Sequence, residues 1–363
     1  MQERVGVRER MEQVGPRFIR DFMPDQHQEL FAKLPWLVVG SLDRLGRPRS
    51  SVLAGPPGFL SAPDPRTLRV DALPGAGDPL GEALAVGAPV GLLGIELATR
   101  RRNRVNGRVV AIDARGFAVR VEQSFGNCKQ YIQARRVVGA GAALAFSGDP
   151  SDLSASTASA DPSDLSTRSI AARIARADTF FIATASAAAA ARTGDPAEGV
   201  DVSHRGGKPG FVRAAVDPEG RTVLTWPDFP GNMVFNTLGN LAIDPRAGLL
   251  FVDFERGDLL DLVGRAEVAW EGRELDAFAG AERLVRFTVD EARVRPGALP
   301  LRWSDPALAP QLAATGSWDE VARALADDQT LEGRVQVGTA AKSNAAVLPP
   351  VTSTPTRSPA AGR

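Results

Sequence analysis

The chain has 363 residues, 44% hydrophobic and 24% charged, enough to bury a sizeable core in two ordinary domains or one large one. Basic and acidic residues number 43 each, so a chain whose main work is neutralising nucleic-acid phosphates is excluded, while a local basic pocket is not. A single cysteine, Cys128, excludes an intrachain disulfide, a thiolate zinc site and a CxxC redox pair, and two histidines, His27 and His204, exclude a histidine-rich metal centre.

The N-terminal residues 1–15 are charged throughout and lack the apolar core of a signal peptide. No apolar run approaches the ~20 residues of a membrane span, so the expectation is a soluble, cytoplasmic protein without a membrane partner. PDQHQELFAKL at 24–34 predicts a short helix with Leu30, Phe31 and Leu34 on one stripe. A strand from Trp36 to Gly40 and a turn at SLDRLGRP (41–48) follow. Short apolar runs then recur at 67–73, 89–97, 107–112 and 117–122, which suggests a closed or nearly closed barrel. From 137 to 167 the chain turns to Gly, Ala, Ser and Asp, with DPSDLS at 149–154 and again at 161–166; this reads as a linker. A helix at 169–178 and a strand at 179–185 open a second set of elements. Ser317 and Glu320 form a capping-box pattern for a helix to about Asp327, and 342–363 reads as a disordered tail.

The two halves resemble each other. PVGLLGIEL at 89–97 parallels RAGLLFVDF at 246–254, and NGRVV at 106–110 parallels VGRAE at 263–267, both at an offset of 157. GRPRSSV (46–52) parallels GKPGFVR (207–213) at a different offset. A duplicated small barrel accounts for this, its two copies burying one face on the other inside one chain.

The densest polar cluster is DVSHRGGKPGF at 201–211. Arg205, Lys208, Ser203 and His204 around glycines suit a phosphate, because cations pair with it and Gly lets backbone N–H groups approach. The same stretch also suits a solvated hairpin turn. Beyond it, Asn232, Asn236 and Asn240 are spaced i, i+4, i+8 in a predicted helix from Gly231, which puts three amides on one face toward something polar; Asn232 as a cap with the others solvated is the alternative. SFGNCKQYIQARR at 124–136 holds the only Cys and the only Tyr, and a lone Cys reads first as a small buried hydrophobe. GAGAAL at 139–144 lacks the context of a dinucleotide loop, and RRRNR at 100–104 reads as a solvated turn rather than a nucleic-acid patch.

These stretches, MPDQHQELFAKLPWLVVGSLDRLGRPRSSVLAGPPGF (23–59), SFGNCKQYIQAR (124–135) and much of 177–268, resemble the flavin-nucleotide-binding proteins related to pyridoxamine 5′-phosphate oxidase. The resemblance covers positions 20–295. It implies a mainly β fold with flanking helices, two tandem FMN-binding split barrels forming a pseudo-dimer within the chain. The implied parts are an N-terminal extension (1–22), a first split barrel (23–136), a linker (137–168), a second split barrel (169–297), a C-terminal helical extension (298–341) and a tail (342–363). It implies FMN between the barrels, with FAD or a deazaflavin as variants and NAD(P)H as a candidate electron donor. Carried over by position, Ser203, Arg205 and Lys208 contact phosphate or ribityl, Thr225 faces the ring, and Asn232 and Asn236 sit at a helix start. His204 bonds either end of the flavin, and Asn127, Gln130, Tyr131 and Phe125 complete the pocket from the other barrel. The insertion at 186–198 departs from the pattern and reshapes the pocket mouth. The first half has Arg47 and Arg49 in place of the His–Arg–Lys group and no Asn stripe, so one good flavin site is expected. The implied activity is FMN-dependent oxidoreduction of a small-molecule substrate by something other than a classical pyridoxamine phosphate oxidase. The alternative is a non-enzymatic flavin or electron carrier; a reductase partner and a homodimer stay open, as does haem ligated by His204.

Overall fold

The computed structural model describes residues 1–140, 165–189 and 198–328. The DPSDLS pair, most of the 186–198 insertion and the tail at 342–363 lie outside the described residues, apart from Leu165 and Ser166 of the second copy. Two helices lead in, α1 (Arg8–Phe18) and α2 (Asp25–Lys33). The first sheet is built from β1 (Trp36–Leu42), β2 (Pro48–Ala54), β3 (Leu60–Asp64), β4 (Thr67–Val70), β5 (Pro89–Glu96), β6 (Arg101–Asp113) and β7 (Gly116–Gly126), with α3 (Leu80–Ala83) between β4 and β5. Strand β8 (Val137–Ala140) and helix α4 (Thr167–Ile174) follow. The second sheet holds β9 (Thr179–Ala185), β10 (Val200–Gly206), β11 (Arg213–Val216), β12 (Thr222–Asp228), β13 (Arg246–Val252), β14 (Leu259–Ala269) and β15 (Arg283–Arg295). Its helices are α5 (Asn236–Leu241) and α6 (Arg273–Ala277), and β16 (Leu301–Trp303) pairs with β8.

The seven-stranded sheets run β2-β1-β5-β6-β7-β4-β3 and β10-β9-β13-β14-β15-β12-β11, the same order strand for strand. Every pair is antiparallel, and both long hairpins shift register at the same place, between Asn106 and Gly107 and between Val263 and Gly264. Each glycine is needed there: a Cβ on Gly107 would run into the Arg120 carbonyl and one on Gly264 into that of Thr288. The pairing leaves an edge strand at either end of each sheet, so the expected closed barrels are two open sheets; the bulges bend the long strands without joining the edges. The core follows suit. One apolar cluster lies under each sheet, around Leu92 and Phe117 in the first and Phe180 and Leu262 in the second.

A third cluster belongs to both. Trp36, Val38 and Leu93 pack against Phe181, Val202 and Leu250, and Trp36 meets Phe181, Phe254 and Trp303 edge-on at 5.7, 6.2 and 5.2 Å. Such aromatic pairs are each worth about 0.5–1.5 kcal/mol beyond the area they bury. Close approach depends on small residues: a Cβ on Gly91 would lie 2.7 Å from the Val200 carbonyl, and one on Gly248 would meet the Pro48 carbonyl. The two glycines matched by sequence offset thus sit at matched points of one junction.

Registers match the two sheets residue by residue. With Gly91 set on Gly248, Ser51 falls on Ser203, Val52 on His204, Leu53 on Arg205, Arg102 on Leu259 and Arg104 on Asp261. The counterpart of β10 is therefore β2, and the sequence parallel between 46–52 and 207–213 does not describe the structural match. Arg47 and Arg49, read as the first half's answer to the His–Arg–Lys group, instead pair with Asp43 and Glu291.

Candidate functional site

Where β10 of the second half approaches β6 of the first, an open cleft lies across the junction. Strand alternation places its charges. Arg102 and Arg104 are two apart on β6 and both line the cleft, although the run 100–104 suggested a solvated turn. The chain has already reversed at Arg100, in the left-handed region at φ 58°, so the rest of the run is strand rather than turn. From the other side come Arg205 on β10 and Arg283 at the start of β15.

Four guanidiniums thus face one lining carboxylate, Asp228. Asp228 bridges two of them, 3.6 Å from Arg205 and 3.2 Å from Arg283. Asp201 holds Arg104 at 3.1 Å from behind, and Glu282 pairs with Arg283. Arg102 meets no carboxylate among the described residues; its Nε donates to the Cys128 carbonyl at 2.9 Å. Burial, with repulsion from Arg104 and Arg205 added, pulls Arg102 down to about 9, and burial likewise lowers Arg104 and Arg283. The cleft is a cationic concavity short of anions.

Ser203 is engaged in this network. Arg104 and Thr237 donate to its hydroxyl at 2.6 and 2.9 Å, and it donates to Asp201 at 3.1 Å. His204 is 3% exposed, stands edge-on to Phe181 at 5.8 Å and has no hydrogen bond to its Nε2. Burial first, then the fields of Arg102, Arg205 and Arg135, hold it well below the ordinary histidine value, so it is neutral at pH 7.

The first half supplies the opposite wall through a strap after β7. Asn127, Gln130 and Tyr131 line the cleft together with Cys128, which is half-buried there rather than a core hydrophobe. The strap lies flat because a Cβ on Gly206 would strike the Tyr131 carbonyl, and Gln133 ties it down by donating to the Gly207 carbonyl at 3.2 Å. Phe125 is fully buried beside Arg104, 5.1 Å from its guanidinium, and does not line the cleft. Tyr131 stacks on Phe229 at 4.9 Å and 24°, and burial raises its phenol above the usual value. Tyr131, Met233 and Phe235 all line the cleft and all have φ near +60°. Strain of this kind costs about 1–3 kcal/mol per residue and collects at binding sites.

Of the ten residues proposed from sequence, eight meet here: Asn127, Gln130, Tyr131, Ser203, His204, Arg205, Asn232 and Asn236. Lys208 does not; its ammonium is committed to the Thr315 carbonyl at 2.6 Å. Thr225 does not either, being 5% exposed within β12 between Arg213 and Arg286. The asparagine stripe is broken. Helix α5 begins only at Asn236, because Pro230 and Gly231 leave an extended loop and Met233 and Phe235 turn left-handed before it. Asn232 accepts from Val234 N–H in that loop, and Asn240 donates to Thr184 instead of sharing a face with it. Sequence reasoning missed Arg102, Arg104 and Arg283; only the i, i+2 spacing of the first two carried a signal.

At the twin position the cleft's cations and its histidine are replaced. Val52, Leu53 and Leu259 stand where His204, Arg205 and Arg102 stand in the cleft. Ser51 donates to Asp78 at 2.6 Å, and Arg295 bridges Asp78 and Asp261, each at 2.7 Å, so this position is filled by its own ions. Among the described residues no His, Cys, Asp and Glu cluster could hold a metal ion, and no helix is long and apolar enough to cross a membrane.

No protein-family model matches the chain, and no curated protein matches it. Among solved structures, HupZ of Group A Streptococcus is 16% identical, aligned over 36% of this chain and 91% of its own, with a TM-score of 0.26. A Clostridium acetobutylicum protein related to general stress protein 26, of the pyridoxinephosphate oxidase family, is 11% identical over 43% and 96% with a TM-score of 0.25. K. pneumonia MrkH with c-di-GMP is 11% identical over 85% and 92% with a TM-score of 0.21. Similarity this slight carries no argument about activity.

Proposed function

We propose that this protein is an FMN-dependent oxidoreductase acting on a small-molecule substrate, built as two tandem split-barrel modules with one flavin site between them. The observation that carries the reading is the half-buried, carboxylate-free guanidinium of Arg102 in a four-arginine cleft formed by both halves. A phosphate monoester suits it, since charge-assisted bonds to guanidinium are among the strong ones and Arg102 is held only by carbonyl oxygens. Arg102 and Arg205 would hold the phosphate, with Asp228 bridging Arg205 and Arg283 beside it. The Tyr131–Phe229 pair offers a flat apolar shelf at the mouth for the ring, and Asn127, Gln130 and neutral His204 offer both donors and acceptors to its polar edge. Asn127 Oδ1, His204 Nε2 and Arg283 Nη1 are buried without partners, which fits a ligand with several polar atoms. Bound flavin supplies the electron chemistry, and a cationic wall favours its anionic reduced form.

The test is the visible spectrum of the purified protein, before and after NADPH, with reoxidation by an added acceptor. Flavin bands that bleach and return with turnover support the enzyme. Bands that bleach without turnover assign the carrier role, a Soret band assigns haem, and a colourless protein that takes up no added FMN rejects the reading.

A further inference from the structure

A second cleft lies between α4, the start of β9, the β13–β14 hairpin and the segment after β16, and it shares no lining residue with the first. Its apolar wall includes Phe254 and Trp303, set edge-to-face at 5.3 Å. That wall already hosts a cation of the chain's own: the Arg135 guanidinium lies 4.3 Å from the centre of the Phe254 ring.

Each arginine lining this cleft is matched by a carboxylate, Arg135 by Asp178 at 2.7 Å, Arg173 by Asp258 at 3.8 Å and Arg176 by Asp253 at 3.4 Å. Glu255 and Asp305 are exposed at the rim and form no ion pair among the described residues, which leaves the cleft with an excess of negative charge. Deeper in, Asp178 is 3% and Thr179 1% exposed, and Asp178 Oδ1 and Thr179 Oγ1 have no hydrogen-bond partner. Arg135 Nη1 and Arg173 Nε are likewise without partners, on side chains held in ion pairs as Asp178 is, so the sign of the cleft is set by the rim carboxylates.

An aromatic wall, surplus carboxylate and the unpartnered Asp178 and Thr179 oxygens favour one kind of occupant. We propose that this cleft binds a small organic cation with a flat apolar body, an aromatic amine or amidine. The proposal stands apart from the flavin reading, since it uses none of the same residues.

Benzamidine is a suitable probe, and benzoate, of the same shape and opposite charge, is its control. In the indole N–H spectrum of the full chain, the signal absent from Trp303→Phe should shift saturably with benzamidine while that of Trp226 stays and benzoate moves nothing. Combining Glu255→Gln with Asp305→Asn should weaken benzamidine roughly threefold to tenfold. Asp178→Asn should abolish binding, and because that buried change can unfold the protein, the exposed rim variant decides if it does. An equal response to benzoate, no shift of the Trp303 signal, or an unchanged affinity in the rim variant overturns the proposal.

Discussion

Arg102 and Leu259 occupy matched places in matched strands, and one faces an anion-poor cleft while the other is packed in the shared core. Replacing Arg102 with its twin's residue puts in a side chain that the matched strand accepts, removes the cation, and gives up its bond to the Cys128 carbonyl. Arg102→Leu should weaken FMN roughly 10–100-fold in a fluorescence-quenching titration, the value of one or two charge-assisted bonds. Lys208→Ala should leave affinity within about twofold, since that ammonium serves Thr315. A Lys208 variant weaker than the Arg102 variant would invert the assignment. The histidines add a pH signature. Burial, then Arg101 and Arg20, lower His27 to about 4, and His204 lies well below the usual value. The unfolded chain takes up protons near 6.5 and the folded one does not, so stability is full above that pH. It is lost as pH falls from about 6.5 toward 4 for His27, and as pH falls well below 6.5 for His204. Urea midpoints at pH 7.5 and 5 should differ, and His27→Gln should shrink the difference; an undiminished drop in the variant would remove His27 as the cause.

At the level of elements, the junction is held by glycine contacts and by ions. Gly248→Ala drives a methyl group into the Pro48 carbonyl and should cost about 1–3 kcal/mol in urea unfolding, whereas Gly239→Ala, whose added carbon meets no neighbour, should not destabilise. Arg295→Leu leaves Asp78 and Asp261 buried and unpaired, at a cost of about 3–5 kcal/mol, yet it lies at the twin position and should spare FMN affinity. A loss of affinity without loss of stability there would mean the twin is a working site. Much of this architecture was legible because Gly91, Gly107, Gly248 and Gly264 are fixed by close backbone contact, and such contacts tolerate no drift in spacing. The cleft's lining was less legible. A run of arginines reads as solvent-facing until one knows that the hairpin turns at Arg100, and asparagines at helical spacing read as a face until Pro230 and the left-handed Met233 and Phe235 are seen to postpone the helix. The charge of Lys208 suggests a phosphate contact, and only the C-terminal segment that folds back to Thr315 shows where that charge goes.

For the molecule as a whole, two sheets of identical strand order carry unlike sites at equivalent positions, one cationic and open, the other aliphatic and closed by an Asp–Arg–Asp bridge. Each site draws on both halves, so a ligand in the cleft should stiffen the junction and raise the unfolding temperature with the logarithm of its concentration over the dissociation constant. The most direct measurement is a calorimetric titration of the full chain with FMN and, in parallel, with riboflavin, which lacks the phosphate. One equivalent of FMN should bind per chain, with riboflavin weaker by at least about tenfold. Two equivalents of FMN, or riboflavin bound as tightly as FMN, would rule out a single phosphate-gripping site.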